Sequence, residues 1–373
     1  MDSDTITTHF DYHFLHDNIL KLDILGHDGP AILKYLEDFT GISPLEVPLG
    51  EKKVMSLFSS PDALEMDPNE LKIKIEVGTL GIPEFGTNFV KQMLLDTRPT
   101  TVSELIRISG LSHGTDVWLG NAQTLIQEGK CTLSEAICCR DDIMLYLIKM
   151  GLDKKLSFTI MESVRKGKGL KPEWEEEMRK WEVPEWYIDS CKMIKYMFPK
   201  AHAVAYTMLS VRIAWYKVYY PVAYYATRFT IKLDEFDAMY MIHGVDKAYM
   251  RMEDLKRGDM SAKEEAQLTV YEQLMEMYAR HIEFLPIDLY KSHATLFVPE
   301  DGKIRPPFAA LAGLGVNAAK ALMEARDDGN GPYESIEDVR IRSGANKAVI
   351  EILREEGVLE GLPEDDSITL FDF

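Results

Sequence analysis

The sequence predicts a mainly α-helical protein with a small α/β piece at its start and a helix-hairpin-helix module towards its end. Three observations carry this. One run of period-2 alternation is confined to residues 18–26, helical spacing of apolar residues recurs from about residue 52, and a Gly-hydrophobic-Gly step sits at 313–315 between two short helical runs. The 373 residues suffice for two or three domains of about 100–200 residues each. With 46% hydrophobic and 28% charged residues, a normal core is available and global disorder is excluded.

The elements follow in order. In NILKLDILG, Leu20, Leu22 and Ile24 alternate with Lys21 and Asp23, a strand whose carboxylate faces away from the core. Residues 31–39 read as a helix after Gly29–Pro30. Helices are then expected at 52–59, 87–95, 101–108, 116–128, 133–150, 153–165, 173–181 and 185–197, with prominent loops at 78–86 (GTLGIPEFG) and 109–115 (SGLSHGT). Pro199 marks the start of a long apolar-rich helix and Pro221 its end. A charged segment covers 233–266, a helix 263–282 and short strands 284–298. Domain boundaries are expected near residues 50 and 232, giving segments 1–50, 51–232 and 233–373.

Charge is unevenly placed. The net charge is −19, yet residues 190–233 hold seven Lys or Arg, seven Tyr and no acid. A basic aromatic stretch in an acidic chain fits an anionic ligand such as a nucleotide or a DNA backbone. It fits equally a buried Tyr-rich helix whose lysines reach solvent. The cysteines Cys131, Cys138, Cys139 and Cys191 lack metal-binding spacing and read as buried thiols. No run of 18 apolar residues and no signal peptide is present, so a soluble, cytoplasmic protein without membrane contact is expected.

Candidate site residues cluster in four places. In FPKAHAVAY, Lys200 and His202 fall in the first turn of a helix, where free N–H groups and the dipole favour anions. Tyr206 lies four residues after His202 on the same face, with alanines leaving room for a flat ligand. Arg140 in CCRDDIM can hold a phosphate or pair with Asp141 and Asp142. Ser109, Ser112 and His113, in a loop with two glycines, can cradle a phosphate or template backbone. The basic loop RKGKG (165–169) reads as flexible and solvated. Gly313 and Gly315 admit close approach of a DNA phosphate to backbone N–H groups, and the helix that follows brings Asn317 and Lys320. Residues 335–359, around SGANK, can form a second copy of the hairpin. Ser367, Ile368, Leu370 and Phe371 lie in an acidic tail, where a partner's groove could receive the apolar side chains.

Together these stretches resemble the PolC-type alpha subunit of bacterial DNA polymerase III, a C-family replicative polymerase. The likeness runs through TTHFDYHFLHDNILKLDILGHD, GTLGIPEFGT, SGLSHGTDVWLGNAQ, CRDDIMLYLI, WYIDSCKMIKYMFPKAHAVAY, PPFAALAGLGVNAA and SITLF, essentially end to end. It implies a remnant of the palm domain at 1–50, helical fingers binding nucleotide and template at 51–232, and a duplex-binding module with a clamp-binding tail at 233–373. Asp23 corresponds to the third of three palm aspartates that hold two Mg²⁺ ions, and the Pro-Asp-x-Asp motif carrying the other two is absent from this sequence. Arg140, Lys200 and His202 match positions facing the incoming dNTP, and Gly313 and Gly315 match the duplex-binding hairpin. SITLF resembles a sliding-clamp motif, with Ser367 in place of Gln and two residues following. The expected partners are primer-template DNA, dNTPs, the sliding clamp and the upstream remainder of the polymerase. The expectation is thus a polymerase portion inactive alone. The alternatives are a non-catalytic DNA- and clamp-binding protein, or a split enzyme whose other polypeptide supplies the missing strands.

Overall fold

The computed structural model describes residues 6–15, 18–20 and 26–365. Most of the expected strand at 18–26 lies outside the described residues. Leu20, expected on its core face, is 83% exposed.

The first helices are α1 (Tyr12–Leu15), α2 (Gly29–Thr40), α3 (Lys52–Ser56) and α4 (Asn88–Thr97). They are followed by α5 (Val102–His113) and α6 (Gln123–Gln127). Proline at the start of α2 and left-handed Gly41 at its end bound that helix, as expected of these residues. Thr87 caps α4, and Thr101 forms a reciprocal capping box with Glu104 at α5. A broken segment, with Leu119 and Gly120 out of helical conformation, leads into α6.

Next come α7 (Arg140–Met150), α8 (Lys154–Arg165), α9 (Pro172–Lys180) and α10 (Glu185–Met193). The helix expected over 133–150 forms only in its second half. Asp142 turns back and accepts the amides of Cys138 and Cys139, both at 3.1 Å, so the chain enters α7 from an extended Cys139.

The long helix α11 (Lys200–Tyr219) packs against α2, α3 and α5. Pro221 ends it as expected but also opens α12 (Pro221–Ile231), after a single non-helical residue, Tyr220. Proline tolerates the first turn of a helix, where its missing N–H costs nothing. The charged stretch that follows holds α13 (Ala238–Met241) and α14 (Val245–Lys256), and then α15 (Ala262–Ala279) begins.

Among the described residues the only sheet is the hairpin β1 (Val298–Glu300) and β2 (Lys303–Arg305). Asp301 and Gly302 both have positive φ at its turn, the two-residue geometry that Asp-Gly favours. The expected strands at 284–298 are thus displaced, and Phe284 joins the hairpin only through a bridge to Ile304.

The last helices are α16 (Val316–Arg326), α17 (Ile336–Ser343) and α18 (Lys347–Glu355). A continuous hydrophobic cluster runs from Ile32 on α2 to Leu359 beyond α18. All four cysteines are buried free thiols. Much of the basic aromatic stretch also belongs to this core. Tyr216, Tyr224 and Tyr225 are fully buried, and so is Lys217. No described helix is long and apolar enough to cross a membrane.

Candidate nucleotide and nucleic-acid interface

The first turns of α11 separate Lys200 from His202. On one face the rings of Phe198, His202 and Tyr206 follow one another, with centroids 4.5 Å and 4.4 Å apart. His27 extends the row beyond Tyr206 at 4.8 Å, and His113 stacks on Phe198 at 4.8 Å. Glu84 closes it, its Oε2 accepting from His113 Nε2 at 2.7 Å. His113 Nδ1 lies 2.7 Å from the carbonyl of Ser109, so an imidazolium donates from both nitrogens.

The histidines of this row are driven apart. The Glu84 carboxylate raises the pKa of His113, and His113 in turn lowers that of Glu84. Burial, helped by the charge on His113, lowers that of His202. Two imidazoles whose affinities for a proton are shifted in opposite directions therefore stand on either side of Phe198. Beside Tyr206, a cavity of about 280 Å³ opens among Asp28, Glu84, Thr87 and Arg228.

Glu84 was missed in the sequence. It takes a left-handed φ of 66° in the 78–86 loop, and nothing local ties it to His113. The loop is held from beneath by Lys217, whose Nζ donates to the carbonyls of Gly78 (2.8 Å) and Leu80 (2.7 Å) and pairs with buried Glu276 (2.7 Å).

Lys200 turns to the other side. Its Nζ lies 3.6 Å from Asp142, which also faces Arg107 at 3.7 Å. Asp141 accepts the backbone N–H of Lys200 at 2.8 Å. One of the amides expected to be free for an anion is therefore already occupied. The Arg140 amide donates to the Phe198 carbonyl at 3.2 Å, bringing α7 and α11 end to end. Its half-buried side chain makes no hydrogen bond or ion pair among the described residues.

The expected loop carrying Ser109, Ser112 and His113 is instead the last turn of α5. Gly110 is there for proximity, because a Cβ would lie 2.5 Å from Cys139 Sγ and 2.7 Å from the Cys138 carbonyl. The Ser109 hydroxyl is buried without a partner, and Ser112 donates to the Ser109 carbonyl at 3.0 Å. Nor is RKGKG a free loop. Lys168 N–H donates to the Ser163 carbonyl at 3.0 Å, and the Gly169 carbonyl accepts from Ser163 Oγ at 2.8 Å.

At the other end, Phe308–Ala310 forms only a 3₁₀ turn, so the first arm of the expected hairpin is shorter than a helix. Gly313 takes a φ of 88°, and Gly315 precedes α16, on which Asn317 and Lys320 are exposed. The second hairpin has two full helices, α17 and α18, joined through left-handed Gly344, with Asn346 capping the Val349 amide at 3.0 Å. The hairpins touch, since a Cβ on Gly313 would lie 3.1 Å from Ile352 Cδ1. Asp23, Ser367, Ile368, Leu370 and Phe371 lie outside the described residues.

Comparison with known proteins matches residues 30–182 to the bacterial DNA polymerase III alpha subunit finger domain and residues 281–367 to a helix-hairpin-helix motif. Proteins named DNA polymerase III PolC-type align along the whole chain. That of Caldanaerobacter subterraneus subsp. tengcongensis is 55% identical over 99% of this chain and 26% of its own length. That of Clostridium perfringens is 55% identical over 100% of this chain and 26% of its own length. The Bacillus subtilis protein is 53% identical over 98% of the chain and 25% of its own length.

The chain is thus similar along its whole length to PolC-type DNA polymerase III. It spans about a quarter of the length of the PolC-type relatives it matches. The finger-domain match includes Glu84, Ser109, His113 and Arg140 but stops short of Lys200, His202 and Tyr206, which full-length alignment with PolC-type relatives covers. Among the described residues, no three His, Cys, Asp or Glu side chains converge as metal ligands.

Proposed function

We propose that this chain supplies the nucleotide-binding fingers and the duplex-gripping module of a replicative DNA-directed DNA polymerase in the cytoplasm. The complete enzyme joins a dNTP to a primer 3′-OH, forming a bond to the α-phosphate and releasing pyrophosphate. The observation that carries this reading is the row Glu84–His113–Phe198–His202–Tyr206 at the head of α11, in a chain 55% identical to PolC-type polymerases.

In this reading the chain's own residues bind and orient. Tyr206 and His202 offer flat faces to the base or sugar, and His113, held by Glu84, backs the Phe198 ring beside them. Arg140 and Lys200 stand at the joined ends of α7 and α11, where they neutralise the triphosphate. Ser112 faces the template side, with buried Ser109 behind it, and Gly313, Gly315, Asn317 and Lys320 hold duplex backbone. Asp23 is assigned as a ligand of Mg²⁺ shared with aspartates of the remainder of the polymerase. The described residues offer no metal site themselves. Ser367, Ile368, Leu370 and Phe371 are assigned to the sliding clamp.

The test is primer extension with Mg²⁺ and dNTPs, by the chain alone and combined with the upstream remainder of a PolC-type polymerase. Synthesis in the mixture, abolished by Asp23→Asn and lowered by His202→Ala with a raised KM for dNTP, is the expected result. Synthesis indifferent to both substitutions would overturn the site. Duplex binding without synthesis, when the two pieces demonstrably associate, would favour a non-catalytic DNA-binding role.

A further inference from the structure

The solvent-facing side of α13 and α14 combines exposed methionines with cations that have no carboxylate partner. The Tyr240 ring on α13 lies under two cations of α14, with Lys247 Nζ 5.7 Å and the Arg251 guanidinium carbon 5.2 Å from its centroid. Met250 falls on the same side of α14, since positions three and four apart share a helix face, and it is 67% exposed. Met239, next to Tyr240, is 48% exposed. The acids of α14 are engaged elsewhere: Asp246 with Lys72 at 3.0 Å, Glu253 with Lys256 at 2.9 Å and Asp254 with Arg257 at 3.1 Å. Lys247 and Arg251 form no ion pair among the described residues, and the Arg251 Nε is buried without a hydrogen-bond partner. The acid that feels both, Asp237, is half-buried, and burial raises its pKa although they lower it.

A soft apolar face with uncompensated positive charge suits an acidic segment that bears large apolar side chains. The chain holds one. Residues 366–373 read DSITLFDF, with Ile368, Leu370 and Phe371 between Asp366 and Asp372. The residues just before them stand close to α14. Arg354 on α18 holds the Glu364 carboxylate at 2.8 Å, and Glu356 lies 3.4 Å from His243, four residues before Lys247. Eight extended residues span about 26 Å, enough to pass along α14 from its start to Arg251. Short tethering also makes the encounter intramolecular, so a weak contact suffices to hold it.

We propose that residues 366–373 dock on this face, with Leu370 and Phe371 against Met250 and Met239 and their flanking aspartates towards Lys247 and Arg251. The contact withholds the tail from other partners until it is released. That consequence rests on the clamp assignment above, since a clamp would compete with α14 for the same side chains. The contact itself does not, and its test uses the chain alone.

Chymotrypsin cuts after Leu370 and Phe371, so its rate on the intact chain reads how often the tail is undocked. The reference is a synthetic peptide of residues 364–373. At a millimolar effective concentration, a contact of about 0.1 mM affinity is closed about nine-tenths of the time, so cleavage about tenfold slower than in the peptide is expected. Lys247→Glu with Arg251→Glu restores the peptide rate. Met250→Asp does the same by a separate route, should the charge reversal disturb α14. A zero-length carbodiimide cross-link from Lys247 to Asp366 or Asp372, formed within single chains at high dilution, is the second expected result. Cleavage at the peptide rate in the parent chain overturns the proposal. So does slow cleavage that neither variant relieves, or a cross-link found only between two chains, which would seat the tail on a second copy.

Discussion

Replacing Lys217 with Met tests how the 78–86 loop is held. Lys217 and Glu276 are both fully buried, 2.7 Å apart, and burial pushes the lysine pKa down to about 8 although Glu276 opposes the shift. The substitution nearly preserves volume, ending one atom short of the lysine Nζ, and removes the charge. Leu80 keeps a donor in the Tyr224 hydroxyl at 2.9 Å, and Glu276 keeps the Tyr225 hydroxyl at 2.7 Å. The Gly78 carbonyl loses its Lys217 donor and Glu276 loses its counter-charge. An orphaned carbonyl costs about 1–3 kcal/mol. Breaking a buried pair from one side costs about 3–5 kcal/mol in total. Adding Glu276→Gln removes the uncompensated charge and keeps an acceptor for Tyr225. The double variant should therefore recover about 2 kcal/mol of the loss, leaving mainly the Gly78 carbonyl. Urea unfolding followed by tryptophan fluorescence measures each cost, with equal slopes required before midpoints are compared. A single variant within about 1 kcal/mol of the parent, or a double variant no better than the single, would refute the reasoning.

Two further predictions concern single contacts. Glu84→Gln lowers the pKa of His113, read by NMR titration of the imidazole, and an unchanged titration would remove Glu84 from the site. The sign follows from both partners. The His113 contribution is full below its unfolded pKa of about 6.5 and fades as pH rises through its raised folded value. The Glu84 contribution is full above about 4.5 and fades as pH falls through its lowered value. The pair therefore stabilises most between these limits, and the variant loses that feature of the stability profile. Asn346→Ala removes the cap on α18 and costs about 1 kcal/mol, whereas Asn346→Gly costs only a few tenths. Hydrogen exchange in α18 reads the difference, and equal protection in both variants would refute it.

What the sequence revealed depended on how local the cause was. Capping residues such as Thr101 act within one turn, so the helix starts at α4, α5 and α15 were legible. Gly110 was misread as a loop residue because its reason is tertiary: it lets α5 approach the Cys138–Cys139 turn. Glu84 gave no signal, since its partner lies 29 residues away on another element. The seven lysines and arginines of 190–233 likewise hid two different fates. Lys217 is sealed in the core while Lys195 is exposed, and composition does not distinguish them. His202 and Tyr206 do share a face, because four residues along a helix is geometry that the sequence states directly.

Asp142 joins three parts of the chain through one carboxylate: the Cys138–Cys139 amides, Arg107 and Lys200. In evolutionary terms this is a junction with little freedom. Losing the acid removes the counter-charge that Arg107 and Lys200 share and leaves the start of α7 unclosed, so substitution at 142 is felt at all three places. Descendants of such a sequence should carry the three positions as a linked set, inherited or exchanged together, even where the helices around them diverge.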